Sequence, residues 1–253
     1  MVVKASAIWA TPPVLINDAS GNDIAAIPID FLTEASLKCE YLAYVAQTIV
    51  KEGGFLFRDG SECVLSEPIR EGVYIWMASD PRTFNPGPEG KSHANPIKVH
   101  NIDADESTWS RSSRNSTGQN LFRMQSLARD GLCLVTSSMD LESLQGCHIA
   151  PKSRGNELVE ELCGPGLTRS VDSVQNALTL RADVHHLFDK YKFGIYTKDG
   201  EYIIHSFTSL DIMQYHGRRL RLRQERDFFR IFPDKRLLEW HYRQCILARF
   251  RKD

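Results

Sequence analysis

The sequence lacks the features of a secreted or membrane-spanning protein. Its N-terminus has no basic stretch followed by an apolar run, and no apolar run approaches the length of a bilayer span. The cysteines are scattered without a CxxC pair, which argues against a disulfide framework and against a module with closely spaced zinc ligands. We therefore expect an intracellular protein, cytoplasmic or nuclear, that has reduced cysteines and no membrane partner.

The chain also has almost no net charge, but its charges are unevenly placed. Its 253 residues carry a formal charge of -1 at pH 7, and this length allows one large or two small domains. Basic side chains are concentrated between Arg218 and Lys252, where few acidic residues oppose them. Such a region suits a polyanionic partner, although a solvated helix face would explain the same pattern.

Composition divides the chain into three regions. Residues 1–78 have the pattern of a small mixed α/β unit, with one helix that Thr33 caps and Gly53 ends. Residues 79–117 are rich in Pro, Ser, Asn and Gly, which is typical of a linker or a long loop. Residues 118–253 predict a second unit, which ends in a basic helical region. The first unit contains no motif that we can connect to a chemical function.

The second unit is predicted to mix helices with short strands. Strands are indicated at Cys133 to Val135 and at Cys147 to Ile149. Asp183 can cap a helix that runs from Val184 to Lys190. This mixture predicts an α+β fold.

His185 and Asp189 are candidate metal ligands because they are four residues apart on the predicted helix. That spacing places both side chains on one face, where an imidazole and a carboxylate can hold a divalent cation. His186 points about 100° away from His185, so the two neighbouring histidines should not bind the same ion. For an isolated pair with this spacing, a surface contact is the more common explanation.

Three residues in a fixed order make the interpretation more specific. His148 lies in a predicted strand shortly before a proline, Asn176 follows, and His185 lies nine residues later on a predicted helix. Together with the segments CHIAPKS and NALTLRADVHHLFD, this order resembles the HNH nuclease family, the ββα-metal finger, and in particular its fungal branch. The resemblance covers about residues 118–251. It implies an α+β fold with a C-terminal ββα-metal core and added helices, preceded by the smaller mixed α/β unit.

The resemblance implies a role for each motif residue. His148 corresponds to the general base that activates water, and Asn176 to the residue that keeps this histidine in orientation. His185, together with Asp189, corresponds to the helix ligands of a divalent cation that stabilises charge on the leaving oxygen. Cys147 departs from the pattern, because many members have Asp or His there as a metal ligand.

Cys147 leaves two interpretations of the metal open. A thiolate ligand at this position would favour a softer ion such as Zn²⁺. A protonated, packed thiol would leave the ion with fewer protein ligands and more water, which suits Mg²⁺ and also Mn²⁺. We favour the second interpretation, because free cysteines are usually buried hydrophobic residues.

The expected function is metal-dependent hydrolysis of phosphodiester bonds in DNA. Lys152, Arg154 and Arg181 flank the motif and are candidates for phosphate contacts, which would be salt-dependent and largely independent of DNA sequence. A homodimer would cut both strands, whereas a monomer would mainly nick one. The alternative is a catalytically weak protein that retains the fold and binds nucleic acid or another partner, because Cys147 could reduce activity.

Overall fold

The computed structural model describes residues 9, 11–79, 117–164, 170–208, 210–220, 222 and 232–252. Residues 80–116, nearly all of the predicted linker, lie outside this part of the chain, so the predicted domain boundaries stay a prediction. Arg221 and residues 223–231 of the basic C-terminal region also lie outside it. Among the described residues, no helix has the length and apolar character needed to cross a bilayer.

Contacts between residues group the chain into two units. The first comprises the described parts of Met1–Val99, Ser206–Gly217 and Arg243–Asp253, and the second those of His100–His205 and Arg218–Tyr242. Two segments from the C-terminal part of the chain therefore belong to the first unit, an arrangement that the sequence did not indicate.

The first unit contains one five-stranded sheet. Its strands are β1 (Pro13–Asp18), β2 (Asp23–Pro28), β3 (Gly54–Arg58), β4 (Ser61–Glu62) and β5 (Val73–Ala78). They are arranged across the sheet in the order β2-β1-β5-β3-β4. The pair β1–β5 is parallel, and the other neighbouring pairs are antiparallel.

Alternate residues of β1 and β5 are buried in the core of the first unit, as the two-residue period of a strand requires. Two helices, α1 (Ile29–Glu34) and α2 (Cys39–Val50), also contribute buried side chains to this core. The buried side chains from these elements include Val14, Ile16, Phe31, Leu32, Tyr41, Leu42, Tyr74 and Trp76.

The prediction of one helix capped by Thr33 was wrong, because two helices occupy this stretch. Thr33 lies inside α1, where its hydroxyl donates a hydrogen bond to the carbonyl oxygen of Ile29 at 3.1 Å. Ser36 has a left-handed backbone with φ of 53°, which separates α1 from α2. A left-handed Lys51 ends α2, two residues before the glycine that we expected to do so.

The second unit contains an antiparallel strand pair that is followed directly by a helix. Its first helices are α3 (Thr117–Asp130), α4 (Gly155–Cys163) and α5 (Ala182–Asp189), and its strands are β6 (Leu144–His148), β7 (Ala177–Arg181), β8 (Phe193–Lys198) and β9 (Glu201–Ser206). Strands β6 and β7 pair with each other, and β8 and β9 form a separate sheet. Further along the chain, α6 (Leu210–Met213) belongs to the first unit, and α7 (Lys235–Arg249) belongs to the second unit up to Tyr242 and to the first from Arg243. The predicted α+β class is confirmed.

The segment from Cys133 to Val135 is a turn and not the predicted strand. The amide of Cys133 donates to the carbonyl oxygen of Ser138, and the amide of Ser137 donates back to that of Cys133, both at 2.8 Å. Ser137 is left-handed, with φ of 64°, which a continuing strand does not allow. Cys133, Leu134 and Val135 are all buried. The apolar residues of this segment are therefore explained by their burial, and they do not indicate a strand.

Candidate active site

A cavity of about 300 Å³ lies in the second unit, where β6 ends. Side chains from β6, the segment after it, α5 and α7 surround this cavity. The lining residues are His148, Ile149, Pro151, Lys152, His185, Asp189, Tyr191 and His241. Four predicted site residues from two distant segments of the chain therefore share one cavity: His148 and Lys152 from one, and His185 and Asp189 from the other.

His148, the predicted general base, is held by packing at the end of β6. Its ring stacks on that of Phe122 in α3, with centroids 3.9 Å apart and 4° between the planes. Gly146 permits this close approach of α3, because a Cβ there would lie 2.8 Å from Oγ of Ser126 and 3.2 Å from Cα of Arg123. The side chain of His148 remains 17% exposed, so it is both fixed in position and accessible from solvent.

The carboxylate of Asp172, which the sequence did not indicate, contacts the ring of His148. Nε2 of His148 lies 3.1 Å from Oδ1 of Asp172, and Nζ of Lys152 lies 3.0 Å from both carboxylate oxygens. Burial opposes the ionisation of Asp172, but the hydrogen bonds from Lys152 and His148 outweigh it and lower the pKa of the carboxyl. Burial lowers the pKa of His148, and the contact with Asp172 only partly offsets this. The imidazole is therefore neutral near pH 7 and can accept a proton.

Asn176 is fully buried and joins the loop before β7 to the chain that follows His148. Its Oδ1 accepts a hydrogen bond from the amide of Ala150 at 2.7 Å. Its Nδ2 donates to the carbonyl oxygens of Ala150 at 3.0 Å and Val171 at 2.8 Å. These three bonds connect the segments that carry His148 and Asp172, which is the arrangement expected of a residue that orients the base.

Three side chains bring atoms that can bind a metal ion close together. Sγ of Cys147, a ring nitrogen of His185 and a carboxylate oxygen of Asp189 all lie within 4.8 Å of one another. The helical period places the last two on one face of α5. The alternation of β6 turns Cys147 to the side of the strand opposite His148. The donor set of thiol, imidazole and carboxylate fits a divalent cation.

The contact between His185 and Asp189 favours a positive charge at this point. Nδ1 of His185 lies 2.8 Å from the side-chain oxygen of Gln145, which can only accept, so this nitrogen carries a proton. In the neutral ring, Nε2 then has a lone pair, and it lies 3.3 Å from Oδ2 of Asp189. Two acceptors at this distance repel each other, and a cation placed between them would remove this repulsion.

The other two ligand candidates have different surroundings. Cys147 is fully buried, and burial raises the pKa of its thiol well above the ordinary value. Burial also raises the pKa of Asp189, with His185 acting in the opposite direction. However, the side chain of Asp189 is 56% exposed, so hydration limits this rise. Near pH 7 the thiol is therefore protonated and the carboxylate ionised.

The three predicted phosphate-binding residues occupy different positions. Lys152 lines the cavity. Arg181 forms two contacts of 2.6 Å with the carboxylate of Asp183 and does not line the cavity. Arg154 is exposed at the start of α4. Binding of phosphate by any of them stays a prediction.

Sequence reasoning missed four side chains of the site: Gln145, Asp172, Tyr191 and His241. Gln145 was accessible to prediction, because it lies two residues before Cys147 and hence on the same side of β6. Asp172 and His241 had no local signal, since only the folded chain brings them to the cavity.

His241 forms part of the cavity wall and is not an acid or a base near pH 7. Its ring stacks on Phe188 with centroids 3.6 Å apart, and its Nε2 lies 3.1 Å from the carbonyl oxygen of that residue. Burial lowers the pKa of His241 to about 3, so the imidazole is neutral. Tyr191 lies beside it, with ring centroids 5.1 Å apart.

Residues 133–196 match the family model described as HNH endonuclease. This stretch includes β6, β7, α5 and every cavity residue except His241. The predicted resemblance to the HNH family is therefore confirmed for this part of the chain, whereas the fungal branch stays a prediction. The match indicates a nuclease-type function with nucleic acid as the class of substrate. No curated protein matches the chain.

Proposed function

We propose that this protein is a metal-dependent HNH endonuclease that hydrolyses phosphodiester bonds in DNA. The proposal rests on one observation: His148, His185 and Asp189 share a cavity within the segment that matches the HNH endonuclease family. In this proposal β6, β7 and α5 are the ββα-metal core. His148 is the general base, and α5 supplies ligands to the metal.

The proposed ion is Mg²⁺, with Mn²⁺ as a working substitute. His185 and Asp189 would hold it. A bound ion would supply stabilisation of the negative charge that develops on the leaving oxygen. Cys147 packs beside these ligands with its proton in place, and only a softer ion such as Zn²⁺ displaces that proton.

His148 accepts a proton from the attacking water. Its pKa is lowered by burial, which keeps the imidazole in the form that can act as a base. Phe122 sets the plane of the ring, and Asn176 holds the backbone that follows it. A positioned base of this kind contributes about 10²–10⁴-fold to the rate.

Lys152, Arg154 and Arg181 contact DNA phosphates in this proposal. Such contacts position the substrate without reading its sequence. To bind phosphate, the ammonium group of Lys152 must either leave Asp172 or donate hydrogen bonds to both partners at once. If two copies associate, the paired sites cut both strands, and linear plasmid accompanies the nicked product.

Cleavage of supercoiled plasmid in Mg²⁺, Mn²⁺, Zn²⁺ or EDTA tests the proposal. The wild type should nick DNA in Mg²⁺ and Mn²⁺ but not in EDTA. His148→Ala should lose about 10²–10⁴-fold in rate while binding Mg²⁺ as before. His186→Ala is the matched control, because this exposed neighbour is not a lining residue and should cut like wild type. Unchanged cleavage by His148→Ala would remove it as the base.

The Cys147→Ala variant tests the proposed role of the thiol. Mg²⁺-dependent cleavage should change little, because a protonated thiol is not a ligand of this ion. Affinity for Zn²⁺ should fall at least about 10-fold, since Zn²⁺ binds thiolate strongly. Isothermal titration calorimetry with each ion measures both values. Loss of Mg²⁺ binding in a folded Cys147→Ala protein would show instead that the thiol is needed for this ion.

The buried thiol among the ligand candidates also supports a second function. A protein with this fold and a weak metal site would bind nucleic acid without cutting it. Binding that weakens with salt, together with no cleavage in any metal, would favour this alternative.

A further inference from the structure

We propose that Asp172 is a positioning residue for the base, because it holds His148 in the tautomer with the proton on Nε2. Nδ1 is then the ring nitrogen that accepts the proton of water. The catalytic meaning of this inference rests on the proposed function, whereas the tautomer itself does not. The structural basis is the contact of 3.1 Å between Nε2 of His148 and Oδ1 of Asp172.

The chemistry of this contact determines where the proton lies. An ionised carboxylate has no proton to donate, so the ring nitrogen facing it must be the donor. Asp172 is ionised near neutral pH, since the hydrogen bonds that it accepts outweigh its partial burial. A neutral imidazole carries only one N–H group, and its other nitrogen has a lone pair. With the proton on Nε2, only Nδ1 can act as a base.

Asp172 is itself held in place by its neighbours. Lys152 approaches both carboxylate oxygens at 3.0 Å. The preceding residue, Val171, donates its amide hydrogen to Oδ1 of Asn156 at 2.8 Å, and its carbonyl oxygen accepts from Nδ2 of Asn176 at 2.8 Å. The amide and the carbonyl oxygen of Val171 are thus both held by hydrogen bonds. The carboxylate of Asp172, the next residue, therefore has a defined position relative to His148.

Two of the three histidines that line the cavity, His148 and His185, are held in opposite tautomers. Gln145 accepts a hydrogen bond from Nδ1 of His185, whereas Asp172 accepts one from Nε2 of His148. Each ring therefore has a different nitrogen available, which separates the histidine that binds metal from the one that accepts a proton.

Lys152 makes the Asp172→Asn variant a sharp test. The ammonium of Lys152 can only donate, so the amide oxygen of the variant should turn toward it. The amide NH₂ group then faces Nε2 of His148 and requires that nitrogen to accept. The ring proton should move to Nδ1, so the variant has the wrong tautomer for catalysis. An equivalent reversal explains the loss of activity when the aspartate of a serine-protease triad becomes asparagine.

The primary measurement is a two-bond ¹H–¹⁵N NMR spectrum of metal-free protein labelled at histidine, recorded without nucleic acid at a pH where His148 is neutral. The wild type should show the Nε2–H tautomer of His148, and Asp172→Asn should show the Nδ1–H tautomer. Spectra of His148→Gln identify the signal. A wild-type ring with its proton on Nδ1 would overturn the inference.

Three further variants separate a positioning role from general stability. Asp172→Glu keeps a carboxylate and should retain the wild-type tautomer. Asp172→Asn combined with Lys152→Met frees the amide to rotate, so the Nε2–H tautomer should return. Asp199→Asn, a neutralised turn residue that is exposed in the same unit, should leave the His148 signal unchanged. A double variant that keeps the Nδ1–H tautomer would contradict the role of Lys152 in this argument.

Kinetics then connect the tautomer to catalysis. Asp172→Asn should lower kcat for DNA cleavage by about 10²–10⁴-fold with little change in KM, and Asp172→Glu should recover part of the loss. Normal kcat in a variant with the reversed tautomer would disprove the positioning role. The predicted tautomers without cleavage by any protein would contradict the proposed function and leave the assignment of the ring proton intact.

Discussion

His216 in the first unit and His148 in the second have similar surroundings but different partners. Nδ1 of His216 accepts a hydrogen bond from the amide of Ser206 at 3.0 Å, and its Nε2 lies 2.9 Å from the carbonyl oxygen of Phe31. His216 is buried and packs against aromatic rings. His148 has a carboxylate as its partner and lines a cavity.

The comparison shows that burial alone does not distinguish a histidine of the candidate site from one in the core. Burial lowers the pKa of both rings, that of His216 to about 4. Backbone partners hold His216 as a neutral part of the core, whereas the partners of His148 and His185 are the side chains of Asp172 and Gln145. The type of partner and access to a cavity separate the two cases.

The largest expected effect is the loss of metal binding in His185→Ala. Removal of this imidazole should weaken Mg²⁺ or Mn²⁺ binding by at least about 100-fold, since even outer-shell changes around a metal cost about 10–100-fold. His216→Phe should bind metal like wild type. Calorimetry with Mn²⁺ measures both. Equal Mn²⁺ affinity in His185→Ala and wild type would show that His185, like His216, does not bind the metal.

Asn176→Ala should lower the free energy of unfolding by at least about 3 kcal/mol, because it leaves three backbone groups without this partner and each such buried group costs about 1–3 kcal/mol. The affected groups belong to Ala150 and Val171. Urea denaturation measures the change. Asn156→Ala, which removes one hydrogen bond from the same loop, should cost less. Wild-type stability and wild-type cleavage in Asn176→Ala would exclude it from the site.

His216 should make the stability of the protein depend on pH. Its pKa is about 4 in the folded protein, below the ordinary value of 6.5 that applies to the unfolded chain, so the unfolded chain binds the proton more readily between these values. The stabilisation is present above pH 6.5 and is lost as the pH falls toward 4, by about 2 kcal/mol between pH 7 and 4.5. His241, with its pKa of about 3, acts in the same direction.

Urea denaturation of wild type and His216→Phe at pH 7 and 4.5 measures this dependence. The variant should start less stable at pH 7, because the amide of Ser206 loses its acceptor, and it should lose less stability on acidification. The same loss in both proteins would show that His216 is not the group that responds to pH.

The smallest effects are expected at the predicted phosphate contacts. Arg154→Ala should weaken DNA binding uniformly across sequences and reduce the slope of log K against log salt by about 1. Arg181→Ala should have a smaller effect, since Arg181 already forms an ion pair with Asp183. Fluorescence anisotropy at several salt concentrations measures both slopes. No change in either slope would remove these arginines from the DNA-binding surface.

Much of the second unit could be predicted because its signals are local. The strand that contains His148 and the helix that carries His185 and Asp189 follow from patterns within a few residues of each side chain. The predictions failed where apolar residues lie in turns, as at Cys133, and where a single left-handed residue such as Ser36 interrupts a helical pattern. The left-handed backbone of Ser36, and that of Ser137 in the turn after Cys133, cannot be read from the residue types, because neither residue is a glycine.

The sequence by itself determined the order of the motif residues, the helical spacing of His185 and Asp189, and hence the resemblance to HNH nucleases. Only the tertiary structure decided which groups meet at the cavity: Asp172 against His148, Gln145 against His185, and the side chain of His241 from α7. The physical reason is that spacing along a helix or strand fixes neighbours within one element. Hydrogen-bond partners and pKa values depend on burial and on contacts between elements that are far apart in the chain.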